Sequence, residues 1–543
     1  MTITRWLATG LCLVLAANAP ARVLAAVQPG VLVAAVETRF QRGLDEVTGN
    51  AIDHALALVQ AVYAEHGFTP LWVTSTGADV RARELTQALR ALRLDGLEPE
   101  DYGVSSIERL LSAQSAEQLA ELEVRLSLGL VQAASDLASG RLKPRSVNPK
   151  LYLYPLDVDK ANVLKRAREE EEIAAFVQSF QPSQANYHRL KAALADYQER
   201  ASGALAPPVP GGATLELGKQ GNRVDALRAR LGMLGDAAST TEPGAAFDEV
   251  LLESVKRFQH RHGLAVDGRV GPKTLSALNV PLRARVNQML LNMERRRWMP
   301  DTFEPRYVFV NLADFELKVV DTIEGRERTV HTTEVVVGKP YHQTPEFSHR
   351  IRYLVINPFW NVPVSIARGE LLRQFKKDPG VIDEKGYELL DGWTRDANPV
   401  DPSAIDWASI TRRSFKYKVR QAPGPLNALG RVKFIFPNRH NIYLHDTPAR
   451  SLFDRTQRAF SHGCIRVKAP DVLASTLLQW QDGWPLERVR SVIESGERTV
   501  VSFTQPVPVH LAYVTAWVNK DGTVHFRDDI YKRDESLAQA LLR

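Results

Sequence analysis

Near its C-terminal end the chain reads FSHGCIRVKAP, with His462 two positions before Cys464, and a little upstream it reads IYLHDTP, with His445 followed by Asp446. A thiol, two imidazoles and a carboxylate are the parts of nucleophilic acyl transfer. The cysteine attacks as its thiolate, a histidine handles its proton, and donors receive the charge developing on the attacked oxygen, each worth a factor of about 100 to 1000. Gly463 lets the backbone turn sharply beside the sulfur and bring amides close to a substrate. Other roles fit the same residues. A lone cysteine is commonly a small buried hydrophobe. His445, His462, Cys464 and Asp446 also make a possible zinc ligand set, although Ser-His-Gly-Cys lacks the paired spacing that usually marks zinc. Disulfide exchange lacks a resolving partner, because the only other cysteine is Cys12.

Cys12 lies in a segment that reads as an export signal. Arg5 gives a short positive start, an apolar run extends from Trp6 to Ala17, and small residues offer cleavage after Ala21 or near Ala25. On that reading residues 1–25 leave, and the exported chain keeps one free thiol. No stretch reaches the roughly 20 apolar residues of a membrane span. The formal charge of +6, or +4 without Arg5 and Arg22, is spread thinly, and no dense Lys/Arg block appears. Nucleic acid is therefore not an expected partner.

The elements that must position the site follow from periodicity. Residues 45–201 carry helical patterning, as in AIDHALALVQAVYAEHG, with Gly67 and Gly140 where helices would stop. Residues 202–213, SGALAPPVPGGA, read as a linker with nothing to bury. In 214–280, Val224, Leu227, Leu231 and Leu234, then Phe247, Leu251, Val255 and Phe258, step by three and four, and Pro272 opens a third short helix. A connecting helix is expected over 281–304. From 305 to 503 the period becomes two, as in YVFVNLADFELKVVD. A charged, partly helical insertion at about 366–416 interrupts this β-rich domain, and an insertion of that length often serves as a lid. Residues 504–543 are expected to form a C-terminal extension. The fold class is multidomain α+β: a helical N-terminal domain, a three-helix module, and a β-domain with an inserted lid.

Two resemblances add to this reading. Phe258, Gln259, Gly263, Leu264, Asp267, Gly268, Gly271, Pro272 and Thr274 resemble the punctuation of the type-1 peptidoglycan-binding domain. His445, fifteen residues, then Ser461-His462-Gly463-Cys464-Ile465-Arg466 resembles the signature of the L,D-transpeptidase catalytic domain, whose fold is β-sandwich-like. VVVGKPYHQTPEF, INPFWNVP and RQAPGPLNALGRVKFIFPN agree with its larger exported members, and the likeness extends over most of the mature chain. It departs at Arg466, where many members carry Asn.

The second resemblance implies Cys464 as nucleophile, His445 as the base that makes it a thiolate, and the Asp446 carbonyl orienting the imidazole. His462, Gly463 and Cys464 would supply an oxyanion site, chiefly through backbone amides. It implies attack on a tetrapeptide stem with loss of D-alanine, and capture of the thioester by a diaminopimelate amine to give a 3-3 cross-link in peptidoglycan. Tyr443, Trp360, Asn427 and Arg466 are candidates for lining the cleft, with Arg466 either binding a stem carboxylate or held in a structural ion pair. No cofactor or metal is implied. Peptidoglycan stems are the expected partners, with cell-wall synthesis proteins possible beside them. An L,D-carboxypeptidase or endopeptidase, a lipoprotein-anchoring transpeptidase, and a non-catalytic wall-binding scaffold remain open as alternatives.

Overall fold

The computed structural model describes residues 26–42, 50–203, 205–236, 244–394, 396–479, 481 and 483–542. The expected signal segment 1–25, with Cys12, lies outside them. Among the described residues no helix is long and apolar enough to cross a membrane.

The chain divides into two units. The first holds the described residues up to Ala91 with Glu98–Ala133 and Asp159–Ser179. Its helices close around Glu123, a fully buried carboxylate that accepts from the Trp72 amide (2.9 Å) and from the Tyr63 hydroxyl (2.5 Å). Burial raises this carboxyl to about 7. The second unit takes Leu92–Leu97, Ala134–Val158 and everything from Phe180 onward. Helix Ala185–Ser202, at the end of the helical domain expected over 45–201, falls in the second unit. It does so because Tyr187, Leu190, Leu194 and Tyr197 share a core with Met289 and Met293 of helix Leu282–Arg297.

The three-helix module consists of Asn222–Leu234, Glu249–Arg261 and Pro272–Leu278. Asp248 caps the second helix by accepting from the Leu251 amide (2.8 Å). The sequence punctuation has a physical basis in Gln259, which is 1% exposed. Its amide accepts from Gly268 N (2.8 Å) and donates to Asp267 (2.8 Å) and Thr274 Oγ1 (3.2 Å), tying the second helix to the loop that follows it and to the third helix. The supposed linker 202–213 does bury something. Val209 is 1% exposed within the module's core, and its backbone is held from both sides by the Asn279 amide at 2.9 Å.

In the β-domain the strand order is Val432–Ile435, Leu444–His445, Ile465–Val467, Arg326–Gly338, Glu316–Ile323, Arg306–Asn311, Thr499–Ala512 and Glu346–Ile356. The last of these pairs back onto Val432–Ile435, so the sheet closes on itself. Alternation puts Val308, Val310, Leu317, Val319, Val335, Val337, Leu354, Phe434, Leu444 and Ile465 inside one apolar core and their neighbours outside. The expected boundary at 503 is overturned, because strand Thr499–Ala512 runs through it and pairs with Arg306–Asn311 and Glu346–Ile356. Residues after it are built in as well. Arg533 and Glu346, each 2% exposed, form an ion pair at 2.7 Å.

The insertion is wider than 366–416. Trp360–Asn361 and Lys418–Gln421 flank it and pair with each other, and Tyr387–Leu390 and Pro399–Val400 complete a separate four-stranded sheet. Phe375, Leu389, Trp407, Phe415 and Val419 give the insertion its own core.

Candidate active site

Strand register decides which side chains meet. Leu444 lies opposite Ile465 and His445 opposite Arg466 in a parallel pair, and Lys433 lies opposite His445 in an antiparallel one. Because side chains alternate, Leu444, Ile465 and Phe434 point into the core. Lys433, Tyr443, His445, Cys464 and Arg466 then share the outer face. Sequence separation thus hides a cross-strand cluster. Ring contact between Tyr443 and His445 (centroids 5.5 Å) and the Lys433 ammonium over the Tyr443 ring (3.8 Å) bear this out.

The turn that presents the thiol is held by backbone. Gly463 has φ of +116°, a region open to glycine and strained for other residues. The Ser461 hydroxyl spans the turn, accepting from Gly463 N (3.0 Å) and donating to the Cys464 carbonyl (2.5 Å). The Gly463 amide is therefore spent internally, which removes it from the expected oxyanion donors. From below, Thr344 Oγ1 donates to the Gly463 carbonyl (2.8 Å) and accepts from Gly338 N (3.0 Å). Gly338 must be glycine, since a Cβ there would lie 2.0 Å from the His342 carbonyl oxygen and 3.1 Å from Gly463 Cα.

Cys464 is a half-buried free thiol, and its Sγ lies 3.5 Å from the Asn441 carbonyl, to which a protonated sulfur donates. Burial raises its pKa above the ordinary value, while hydrogen bonds from the Tyr443 amide and hydroxyl and the charges of Lys433 and Arg466 oppose this. His445, 5% exposed, places Nδ1 at 2.5 Å from the Asp446 carbonyl oxygen. A carbonyl only accepts, so Nδ1 carries the proton and Nε2 is left with its lone pair. Burial first, then the Arg466 guanidinium, lowers the imidazole to about 3. Both shifts favour the neutral forms, which argues against a preformed thiolate–imidazolium pair.

That charge state has a measurable consequence. Alkylation requires thiolate, whose fraction below the pKa falls tenfold per pH unit, and burial pushes that pKa up. The rate of Cys464 modification by iodoacetamide, followed by intact mass, is expected to climb steadily from pH 6 to 9 with no step near 6.5. A plateau below pH 8 would instead reveal a thiolate–imidazolium pair.

The other expected residues divide. Tyr443 sits at the sulfur, and burial pushes its phenol well above 10. Arg466 is half-buried, its Nε has no hydrogen-bond partner, and among the described residues no carboxylate pairs with it. Of its two expected roles, the structural ion pair is absent among those residues. His462 turns away from the sulfur: its Nε2 meets Glu370 Oε1 at 2.5 Å, on the π-helical turn Ala367–Leu371 of the insertion. The hydrogen bond from His462 holds the Glu370 carboxyl below its ordinary range. Asp446 is 2% exposed, and its carboxylate accepts from Arg431 N (2.7 Å), so only its carbonyl faces the imidazole. His445, His462, Cys464 and Asp446 therefore do not converge as metal ligands, and no group of three or more metal-binding side chains occurs among the described residues.

Two expected lining residues serve the insertion instead. Asn427, 1% exposed, donates to the carbonyls of Pro358 (2.9 Å) and Ala422 (2.9 Å) and accepts from Leu429 N (2.9 Å), which leaves nothing for a substrate. Trp360 packs on the insertion's core, 6.3 Å from the Tyr387 ring. Lys433 and Glu370 were missed from sequence. Lys433 had a signal, being the polar residue of the strand-like run VKFI, on the face opposite Val432 and Phe434.

Comparison with known proteins follows the same divisions. Residues 305–493 match the L,D-transpeptidase catalytic domain, 220–278 a peptidoglycan binding domain, and 57–194 a scaffold domain. A curated protein of Haemophilus influenzae, named as an L,D-transpeptidase, is 38% identical over 250 residues, 46% of this chain and 48% of the relative. The chain thus spans about half the length of the curated relative it matches. Among solved structures, an L,D-transpeptidase of Xylanimonas cellulosilytica is 15% identical at a TM-score of 0.16, covering 57% of this chain and all of the other. One from Stackebrandtia nassauensis is 15% identical at 0.21, covering 59% of this chain and all of the other. Overlap at these scores carries no weight beside the strand pairing. With the SHGC turn and its histidine on one sheet face inside the matched segment, residues 305–493 of this chain belong to the L,D-transpeptidase catalytic domain family, beside a peptidoglycan-binding domain and a scaffold domain.

Proposed function

We propose that the protein is an exported, periplasmic L,D-transpeptidase that forms 3-3 cross-links between peptidoglycan stems through a Cys464 thioester. The observation that carries this is the shared outer face of Cys464, Tyr443, His445 and Arg466, set by strand register. Arg466, a desolvated guanidinium without a carboxylate, suits a stem carboxylate, which it can hold bidentately. Such an anion also cancels the largest charge depressing His445. The imidazole then becomes a competent base only when substrate is bound, and proton transfer from the thiol to Nε2 accompanies attack.

In the first half-reaction Sγ bonds to the carbonyl carbon of the L-centre of diaminopimelate, and the Cys464 amide donates to the developing oxyanion. The C–N bond to D-alanine breaks, and His445 returns its proton to the leaving amine. In the second an amine of another stem attacks the thioester, and the thiol is restored. The insertion, clasped to the catalytic turn through Glu370 and His462, keeps water from the acyl-enzyme. Capture by water would give a carboxypeptidase instead. Incubating the protein with disaccharide-tetrapeptide tests the choice by product mass. A dimer lighter than two donors by one D-alanine supports cross-linking, whereas disaccharide-tripeptide as sole product excludes it.

A further inference from the structure

On the same sheet face, a cavity of about 460 Å³ opens beneath the insertion. Tyr353, Val355, Lys433 and Ile435 form its floor, and Trp393, Lys418 and Arg420 of the insertion help line it, together with Arg498. Four of its lining residues are cations and none is an acid. Arg420 is already paired with Glu388 at 2.6 Å. Among the described residues, Lys418, Lys433 and Arg498 have no carboxylate partner. Lys433 is the most constrained of them. Burial lowers its pKa, the Tyr443 ring lies 3.8 Å from its ammonium, and its charge acts on Cys464. Lys418 and Lys433 are half-buried and Arg498 is exposed, so an anion can reach all three and is stabilised by their charge.

Resting on the transpeptidase reading, we propose that this cavity is the acceptor subsite and that it recognises the carboxylate beside the attacking amine. The acceptor end of diaminopimelate is an amino-acid terminus, with an amine and a carboxylate on one carbon. Docking the carboxylate among Lys418, Lys433 and Arg498 would hold the amine on the sheet face that carries Cys464, because Lys433 lies opposite His445 and its charge acts on the sulfur. The same cations disfavour the protonated amine, so the bound acceptor loses a proton more readily than it does in water. The step balances. The neutral amine nitrogen bonds to the thioester carbonyl carbon, and the C–S bond breaks with its electron pair on Sγ. The proton shed by nitrogen passes to His445 and then to the thiolate. The cavity and Arg466 thus divide the carboxylates between acceptor and donor.

The test compares two acceptors on the full-length protein. One is a tripeptide ending in diaminopimelate, and the other is the same tripeptide with the carboxylate beside the acceptor amine converted to a carboxamide. Wild type is expected to show an apparent KM about tenfold lower for the carboxylate, the scale of one hydrogen bond to a charged group. In Lys418→Gln/Arg498→Gln, KM for the carboxylate acceptor should rise to the carboxamide value. Single-turnover formation of the Cys464 adduct from a tetrapeptide donor, with the one equivalent of D-alanine it releases, should stay unchanged. Equal KM for both acceptors in wild type, or a variant that raises both alike, overturns the subsite. Absence of any Cys464 adduct in wild type overturns the transpeptidase reading itself, so the two failures are separable.

Discussion

Replacing Cys464 with alanine is expected to cut D-alanine release from disaccharide-tetrapeptide by about 10³-fold or more, because members of a nucleophile–base unit fail together. The substitution removes one sulfur from a turn whose geometry is set elsewhere. The Ser461 hydroxyl, Thr344 and the positive φ of Gly463 do not depend on the thiol. The fold should therefore persist, with an unchanged melting temperature and unchanged retention on purified sacculi, since residues 220–278 are untouched. Binding without turnover is the expected pattern. Undiminished D-alanine release by the alanine variant would remove Cys464 from the mechanism, and loss of both turnover and sacculus binding would mean the substitution had damaged the fold.

The second large effect lies far from the sulfur in sequence. Arg533→Met leaves Glu346, 2% exposed, as a charge without its partner inside the domain, a defect that costs about 3–5 kcal/mol. For a domain of this size the expected drop in melting temperature is roughly 10 °C. Activity should fall with it. Arg533 also donates to the Thr344 carbonyl (2.7 Å), and Thr344 holds the Gly463 carbonyl. Stacking of the guanidinium against Tyr513 (5.0 Å) and Tyr531 (4.8 Å) fixes its plane. Arg533→Lys keeps the charge but not the fork, so it should recover only part of the loss. The paired change Arg533→Met/Glu346→Met removes both charges and should recover most of it. If the single methionine variant melts as wild type does, the C-terminal segment is not a support of the catalytic turn.

How much of this was legible in the sequence depends on the range over which each feature is set. Helices and alternating strands are local, and so were the glycine stops at Gly67 and Gly140 and the Gln259 lock, whose partners lie within fifteen residues. The pair Cys464 and His445 stands out in the sequence because its residue types are rare and the motif is specific. Its geometry follows from a two-residue parallel pairing that no periodicity announces. Arg533 finds Glu346 across 187 positions, and His462 finds Glu370 across 92, so neither pairing leaves a local pattern. Trp360 and Asn427 were misplaced for a related reason. Both lie in stretches of motif flanking the insertion, and only the pairing of Trp360 with Gln421 shows that they anchor the insertion. The boundary at residue 503 failed because Thr504, Gln505 and Pro506 interrupt the strand pattern where the register shifts between Ser502 and Val507, although Thr499–Ala512 continues through the sheet.

The proton that burial and Asn441 keep on Cys464 has an effect beyond acyl transfer. Peroxides attack thiolates and leave protonated sulfur nearly untouched, so the resting protein carries a sulfur of low oxidisability. Sulfenic acid formation is then expected to be slow in the resting protein and to quicken as pH rises.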